Sequence, residues 1–201
     1  MNALKLAIFG FLTSALVGLV YVWTAEPIAK AQQDARDATI RAMLSEVDEI
    51  GLGNETSLSD ARLLEQLGWS TPIVIRALTR NDAVVGYLVP IRAPSGYSGP
   101  IDLILAVTTE PRILAVRVTT HRETPGLGDG IDHRKSDWIQ QFAGYALDTH
   151  AAEDWIVRPD GGVIDAFTGA TITPRAVVNG LRRAMSALTN DPSWPSKLEV
   201  R

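Results

Sequence analysis

Two stretches of this sequence combine residue types that could hold a ligand. In Asp165-Ala166-Phe167-Thr168-Gly169-Ala170-Thr171-Ile172-Thr173-Pro174, the pair Thr173-Pro174 suits the N-cap and first position of a helix, which puts Thr171 just ahead of a helix start. Such an end offers free backbone N–H groups and the positive pole of the helix dipole, a combination that suits a phosphate. Arg175 adds a cation in the first turn, while Gly169 and the small Ala170 let a flat ligand come close to Thr168 and its neighbours. On residue types alone, a tight turn before a capped helix accounts for the same pattern. The second stretch is His121-Arg122-Glu123-Thr124-Pro125-Gly126-Leu127-Gly128-Asp129-Gly130. Its glycines, Gly126 among them, fold a loop that presents Leu127 beside Glu123 and Thr124. One apolar contact and one carboxylate could border an aromatic ring. The competing reading tucks Leu127 into the core of an ordinary strand-to-helix connection.

Composition removes many other chemistries. The 201 residues include no cysteine, which excludes disulfides, thiolate nucleophiles, iron–sulfur ligation and cysteinyl bonds to a cofactor. The three histidines, His121, His133 and His150, have no metal-ligand spacing, so no metal site is expected. Nineteen Lys and Arg against 23 Asp and Glu give a net charge of −4, which lacks the basic excess that nucleic-acid binding requires. No triad-like or paired-carboxylate arrangement stands out, so no catalytic residue is assigned.

The elements that must position these stretches follow from periodicity. Leu6 to Trp23 is 18 residues without a charge, close to the ~20 that span a hydrocarbon core. Lys5 can snorkel at one end, and Tyr21 and Trp23 suit an aromatic belt at the other. A cleaved signal peptide competes through Ala29-Lys30-Ala31, but the apolar run exceeds the usual h-region. The expectation is a single spanning helix with its N-terminus in the cytoplasm. Gly10, Ser14 and Gly18, spaced by four, form a small-residue stripe that either docks another helix or arises by chance. A membrane-proximal helix is expected over Ile28 to Val47, and a short one over Ser59 to Gly68 with an N-cap and a terminal glycine. Pro72 to Thr79, Ala83 to Ile91, Ile101 to Val107 and Ile113 to Thr120 read as four strands in two hairpins, joined by a surface loop at Pro94 to Pro100. A short helix over Ser136 to Phe142, a strand-like Val163 to Asp165 and a last helix from Pro174 to about Leu188 complete the pattern. The fold class is α+β, an antiparallel sheet flanked by helices. The segments are 1–27 as anchor, 28–70 as a membrane-proximal helical segment and 71–201 as the globular domain.

Several motifs together resemble the G subunit of the Rnf complex, the ion-translocating ferredoxin:NAD⁺ oxidoreductase. They are the N-terminal anchor, Gly96-Tyr97-Ser98-Gly99, Glu123-Thr124-Pro125-Gly126-Leu127-Gly128, Lys135-Ser136-Asp137-Trp138 and Thr168-Gly169-Ala170-Thr171. The last completes the family's flavin-attachment motif, Asp-x-x-Ser/Thr-Gly-Ala-Thr, between Asp165 and Thr171. The resemblance implies an FMN-binding domain carrying FMN through its phosphate on the Thr171 hydroxyl. Thr168, Gly169, Ala170, Glu123, Thr124, Gly126, Leu127 and Arg175 would line it, and Asp165 would be recognised by a flavin transferase. It further implies an electron-transfer subunit of an ion-transport translocase, working with other membrane and peripheral Rnf subunits. The expected location is the bacterial inner membrane, with the globular domain on the periplasmic side. The related C subunit of the sodium-translocating NADH:quinone oxidoreductase shares both motifs, but usually carries a larger globular insertion. A cofactor-free, membrane-anchored binding or assembly module is the alternative from another class.

Overall fold

The computed structural model describes residues 2–45, 47 and 50–200. Residue 1 and residue 46 of the expected membrane-proximal helix lie outside these. The chain divides into two compact units, residues 1–39 and residues 40–201.

The first unit holds most of helix α1 (Asn2–Leu44). It includes a stretch long and apolar enough to cross a membrane, and Leu6, Phe9, Phe11, Leu16, Leu19 and Trp23 are all exposed along it. The sequence reading ends the anchor at residue 27 and begins a membrane-proximal helix at Ile28, yet Pro27 lies inside the single helix α1. A proline removes one backbone donor, and the helix continues through it as a tolerated interruption.

The second unit is built on a six-stranded antiparallel sheet. Its strands are β1 (Gly51–Leu58), β2 (Ile73–Arg80), β3 (Ala83–Gly96), β4 (Gly99–Thr108), β5 (Ile113–Thr120) and β6 (Leu198–Val200), in the order β5-β4-β3-β2-β1-β6. The β2–β3 turn is Asn81-Asp82, both at positive φ (50° and 62°), the conformation that the right-handed twist of a two-residue hairpin demands. Instead of two separate hairpins, β2 to β5 form one meander. The segment read as a loop at Pro94 to Pro100 is a tight turn at Tyr97-Ser98, with Gly96 opposite Gly99. β1 falls in the segment read as helical, and β6 returns at the chain end to pair with it. Pro90, deep in β3, is tolerated because β2 pairs no further along β3 than Leu88. The Pro90 carbonyl instead accepts the Trp69 indole N–H at 3.0 Å.

Helix α2 (Ala61–Leu67) is capped as its sequence suggests. The Asp60 carboxylate accepts the Leu63 N–H at 2.8 Å, and Gly68 closes the other end at φ 86°. Helix α3 (Ile172–Asn190) lays Val177, Val178, Leu181, Met185 and Leu188 into the main core, which is shared with Leu103, Leu105, Val116 and the buried Trp155 and Trp194. The opposite face of the sheet is covered by Ile40, Met43 and Leu44, packed with Leu78, Leu88, Ile104 and Ala106. Between β5 and α3 the chain is held by turns and short 3₁₀ segments. The helix expected at Ser136 to Phe142 is a 3₁₀ turn over Trp138–Phe142, and the strand-like Val163 to Asp165 reduces to one bridge between Ile164 and Val157. Runs this short form too few hydrogen bonds to nucleate regular structure and take their shape from packing.

Candidate functional site

The turn ahead of α3 is closed by the Ala170 N–H donating to the Phe167 carbonyl at 3.0 Å, with Thr168 and Gly169 at its tip. Gly169 adopts φ 78°, which a side-chain-bearing residue would resist, so the glycine is a requirement of the turn. Two residues on, Thr171 occupies the N-cap position of α3. The expected N-cap, Thr173, is one of the first helical residues instead, and the helix begins two residues earlier than expected. Thr173 is 1% exposed inside the first turn, and its hydroxyl donates to Glu123 Oε2.

Thr171 does not use its hydroxyl as a cap either. It makes no side-chain capping bond, has helical dihedrals (φ −73°, ψ −22°) and is half-buried. An N-cap threonine ordinarily accepts an N–H from the first turn. Here the hydroxyl remains next to the free N–H groups of a 19-residue helix, the arrangement that favours an anion.

Glu123 ties three separate stretches of chain together. Its carboxylate, on a residue only 3% exposed, accepts the Ser98 N–H (3.0 Å), the Tyr97 N–H (3.3 Å) and the Thr173 hydroxyl. A buried carboxylate must be satisfied by donors, and here the β3–β4 turn and the head of α3 supply them. Gly128 is required by this packing, because a Cβ there would lie 2.9 Å from Thr173 Oγ1 and 3.1 Å from Glu123 Cβ. The Glu123 carboxylate therefore faces inward and holds the loop to α3. Thr124 folds the rest of the loop, its carbonyl accepting the N–H groups of Leu127 (3.1 Å) and Gly128 (3.0 Å). Gly126 donates to the Asp129 carboxylate at 2.7 Å. Leu127 is 51% exposed, which rules out the core role.

Tyr97 and Ile172 are also exposed, and both sit beside the same junction: the Tyr97 N–H meets Glu123, and Ile172 precedes Thr173. Tyr97, Leu127 and Ile172 are thus exposed large side chains on the three stretches that Glu123 joins. Sequence reasoning did not place Tyr97 here, because the glycines and prolines around it read as a loop.

Arg175 lies one helical turn after Thr171, and its backbone N–H donates to the Thr171 carbonyl. Its guanidinium grips Asp160 with Nη2–Oδ1 at 2.7 Å. That contact holds Asp160 below the ordinary carboxylate range and raises Arg175. Asp165 is exposed and pairs with Arg158 at 3.1 Å, while its backbone carbonyl accepts the Trp138 indole N–H at 2.8 Å. No cluster of metal-ligating side chains occurs among the described residues.

A helix long and apolar enough to cross a membrane thus precedes a sheet domain whose last helix begins at a turn suited to an anion. Residues 96–186 match the FMN-binding domain family, and residues 1–43 match the RnfG N-terminal region. The chain is 40% identical to the G subunit of the ion-translocating oxidoreductase complex of Pseudoalteromonas atlantica, covering 90% of this chain and 84% of that one. It is 39% identical to the protein of the same name from Photorhabdus laumondii, covering 98% and 94%. The chain belongs to the family of these G subunits. The solved structure of NqrC from Shewanella oneidensis matches with a TM-score of 0.49 at 19% identity, covering 75% of this chain and 82% of that one.

Proposed function

We propose that this chain is an electron-transfer subunit of a membrane-bound, ion-translocating ferredoxin:NAD⁺ oxidoreductase, and that it carries FMN bonded through its phosphate to the Thr171 hydroxyl. The observation that supports this most is the contrast between two threonines at the head of α3. Thr173 is buried with its hydroxyl engaged by Glu123, whereas Thr171 is partly accessible and does not use its hydroxyl as a cap. Esterification at Thr171 breaks no capping bond of α3.

The residues present fit the cofactor. The free N–H groups at the start of α3 would receive the phosphate, and Arg175, on the same helical face one turn on, would exchange Asp160 for it. Leu127, with Thr124 and Gly126 shaping its loop, offers an apolar edge to a planar ring, and Tyr97 and Ile172 extend that edge. Thr168, Gly169 and Ala170 keep the approach low. Glu123 acts by fixing the loop to α3 rather than by touching the ring. A bound flavin supplies the redox chemistry, and the protein supplies its position and surroundings. The attachment itself needs an external flavin transferase, since a threonine hydroxyl without an adjacent base is a weak nucleophile. The exposed Asp165 side chain is accessible for recognition by that enzyme.

We place the chain in the bacterial inner membrane as a single-pass protein with its globular domain on the periplasmic side. The other membrane and peripheral subunits of the complex would be its partners. The test is denaturing-gel flavin fluorescence on protein from cells that contain the transferase. Thr171→Ser retains the signal and Thr171→Ala loses it; fluorescence remaining in Thr171→Ala would place the bond elsewhere.

A further inference from the structure

A file of aromatic rings runs away from the attachment turn. Phe167 opens that turn, and its ring lies 5.3 Å from Trp138, centroid to centroid. Trp138 is 5.3 Å from Phe142, Phe142 is 5.6 Å from Tyr145, and Tyr145 stacks on His150 at 4.0 Å with 20° between the planes. Tyr145 also meets Trp155 edge-on at 5.2 Å. The Glu123 loop passes the near end of the file, since a Cβ on Gly130 would lie 2.9 Å from the Phe167 ring. The far end is pinned to the sheet by the Gly144 N–H donating to the Ile113 carbonyl (2.7 Å) and the Ile113 N–H donating to the Tyr145 carbonyl (2.8 Å).

We propose that Trp138 and Tyr145 form an electron-donating relay that quenches light-excited flavin at Thr171 and discharges the resulting electron hole at the surface. The proposal rests on the flavin reading above. Phenylalanine is too hard to oxidise to be a stop, so Phe167 and Phe142 serve as packed media, and the redox-active stops are the indole and the phenol. The oxidant is the excited, oxidised flavin. It takes one electron from the Trp138 indole, whose N–H donates to the Asp165 carbonyl and so stabilises the cation. Tyr145 then returns one electron to that indole and releases its phenolic proton to water. The net change is one electron gained by the flavin and one lost by Tyr145, and back-transfer with reuptake of the proton restores both. Trp155 is an unsuitable end point although it touches Tyr145. Its indole N–H is buried without a hydrogen-bond partner among the described residues, so no acceptor is present to stabilise a cation or take its proton. A tethered cofactor cannot be replaced by exchange, so a route that returns it to the ground state protects the Thr168–Thr171 turn from photochemical damage.

The experiment uses the full-length, flavin-loaded protein in detergent and reads flavin fluorescence lifetime and transient absorption. The wild type shows a short lifetime and an indole cation that gives way to a tyrosyl signal. With Tyr97→Phe as the common background, so that no phenol remains at the ring's edge, Trp138→Phe lengthens the lifetime several-fold at unchanged flavin content. Tyr145→Phe keeps the short lifetime but leaves a persistent indole cation and no tyrosyl signal, and this variant also decides the matter if Trp138→Phe disturbs loading. An unchanged lifetime in loaded Trp138→Phe, or a wild-type tyrosyl signal in Tyr145→Phe, would overturn the relay. Flavin that is quenched in this way but washes out on denaturation would refute the Thr171 bond and leave the relay standing.

Discussion

Thr173 gives its hydroxyl hydrogen to a carboxylate 50 residues earlier in the chain, on Glu123. That bond joins the first turn of α3 to a loop whose Glu123 also holds the tip of the β3–β4 hairpin, so three stretches meet at one buried charge. The consequence for function is a division of labour between neighbours. Thr173 is structural, and Thr171, which makes no side-chain capping bond, is the proposed point of attachment.

Removing the donor should therefore cost stability before it costs chemistry. Thr173→Val leaves a buried carboxylate one partner short, a loss of about 1–3 kcal/mol. Thr173→Ser keeps the donor and should unfold close to the wild type. Denaturant unfolding of the full chain in detergent, followed by tryptophan signals, measures both. Equal stability of the valine variant would show that the bond contributes nothing.

Acid should loosen the same region through Asp132. Burial raises its carboxyl, but the Arg134 guanidinium (Nη2–Oδ2 2.6 Å) and backbone N–H (2.9 Å) outweigh that and hold it below the ordinary value. A folded value below the unfolded one contributes stability that is complete above the unfolded value, about 3.9, and is lost as pH falls through the folded value. Asp132→Asn should flatten that part of the curve of thermal midpoint against pH. Superimposable curve shapes would contradict the assignment.

Leu127→Ala should shift the absorption or midpoint potential of the bound flavin without releasing it. The side chain is 51% exposed, so its loss opens little cavity in the core and the change reads the ring's surroundings. An unchanged spectrum and potential would move this loop to a structural or partner-binding role.

The membrane helix offers a separate test. A Cβ added at Gly10 or Gly18 meets nothing within 4 Å, so leucine at both positions fits the chain itself. If this face docks other subunits, Gly10→Leu with Gly18→Leu loosens their co-purification in mild detergent while Thr171 stays flavinylated. Normal assembly would end the docking idea, and protease protection of the globular domain in intact spheroplasts would reverse the proposed orientation.

Local signals in the sequence were strong where a single element determines them. The Asp60 cap and terminal Gly68 of α2 are contiguous with their helix, and Asn81-Asp82 is its own turn signal. β1 was not legible because Gly51-Leu52-Gly53-Asn54-Glu55-Thr56 lacks clear alternation and gains its strand form from β2 and from β6 at the chain end. The Tyr97-Ser98 turn was hidden by flanking glycines and prolines, which mark turns and loops alike. The start of α3 was misplaced by two residues because Thr173-Pro174 has the composition of a cap, whereas both lie inside the first turn and Thr173 is drawn to the distant Glu123. Aromatic neighbours such as Trp138 and Phe167 lie 29 positions apart in sequence and meet only in the fold.

Attachment at Thr171 is the central claim, and the intact mass of the full chain tests it most directly. Purified from cells that contain the flavin transferase, the protein should exceed its sequence mass by one FMN less one water, because forming the ester expels water. Thr171→Ala purified in parallel should show its bare sequence mass. A wild-type mass equal to that of the bare chain would contradict the covalent bond.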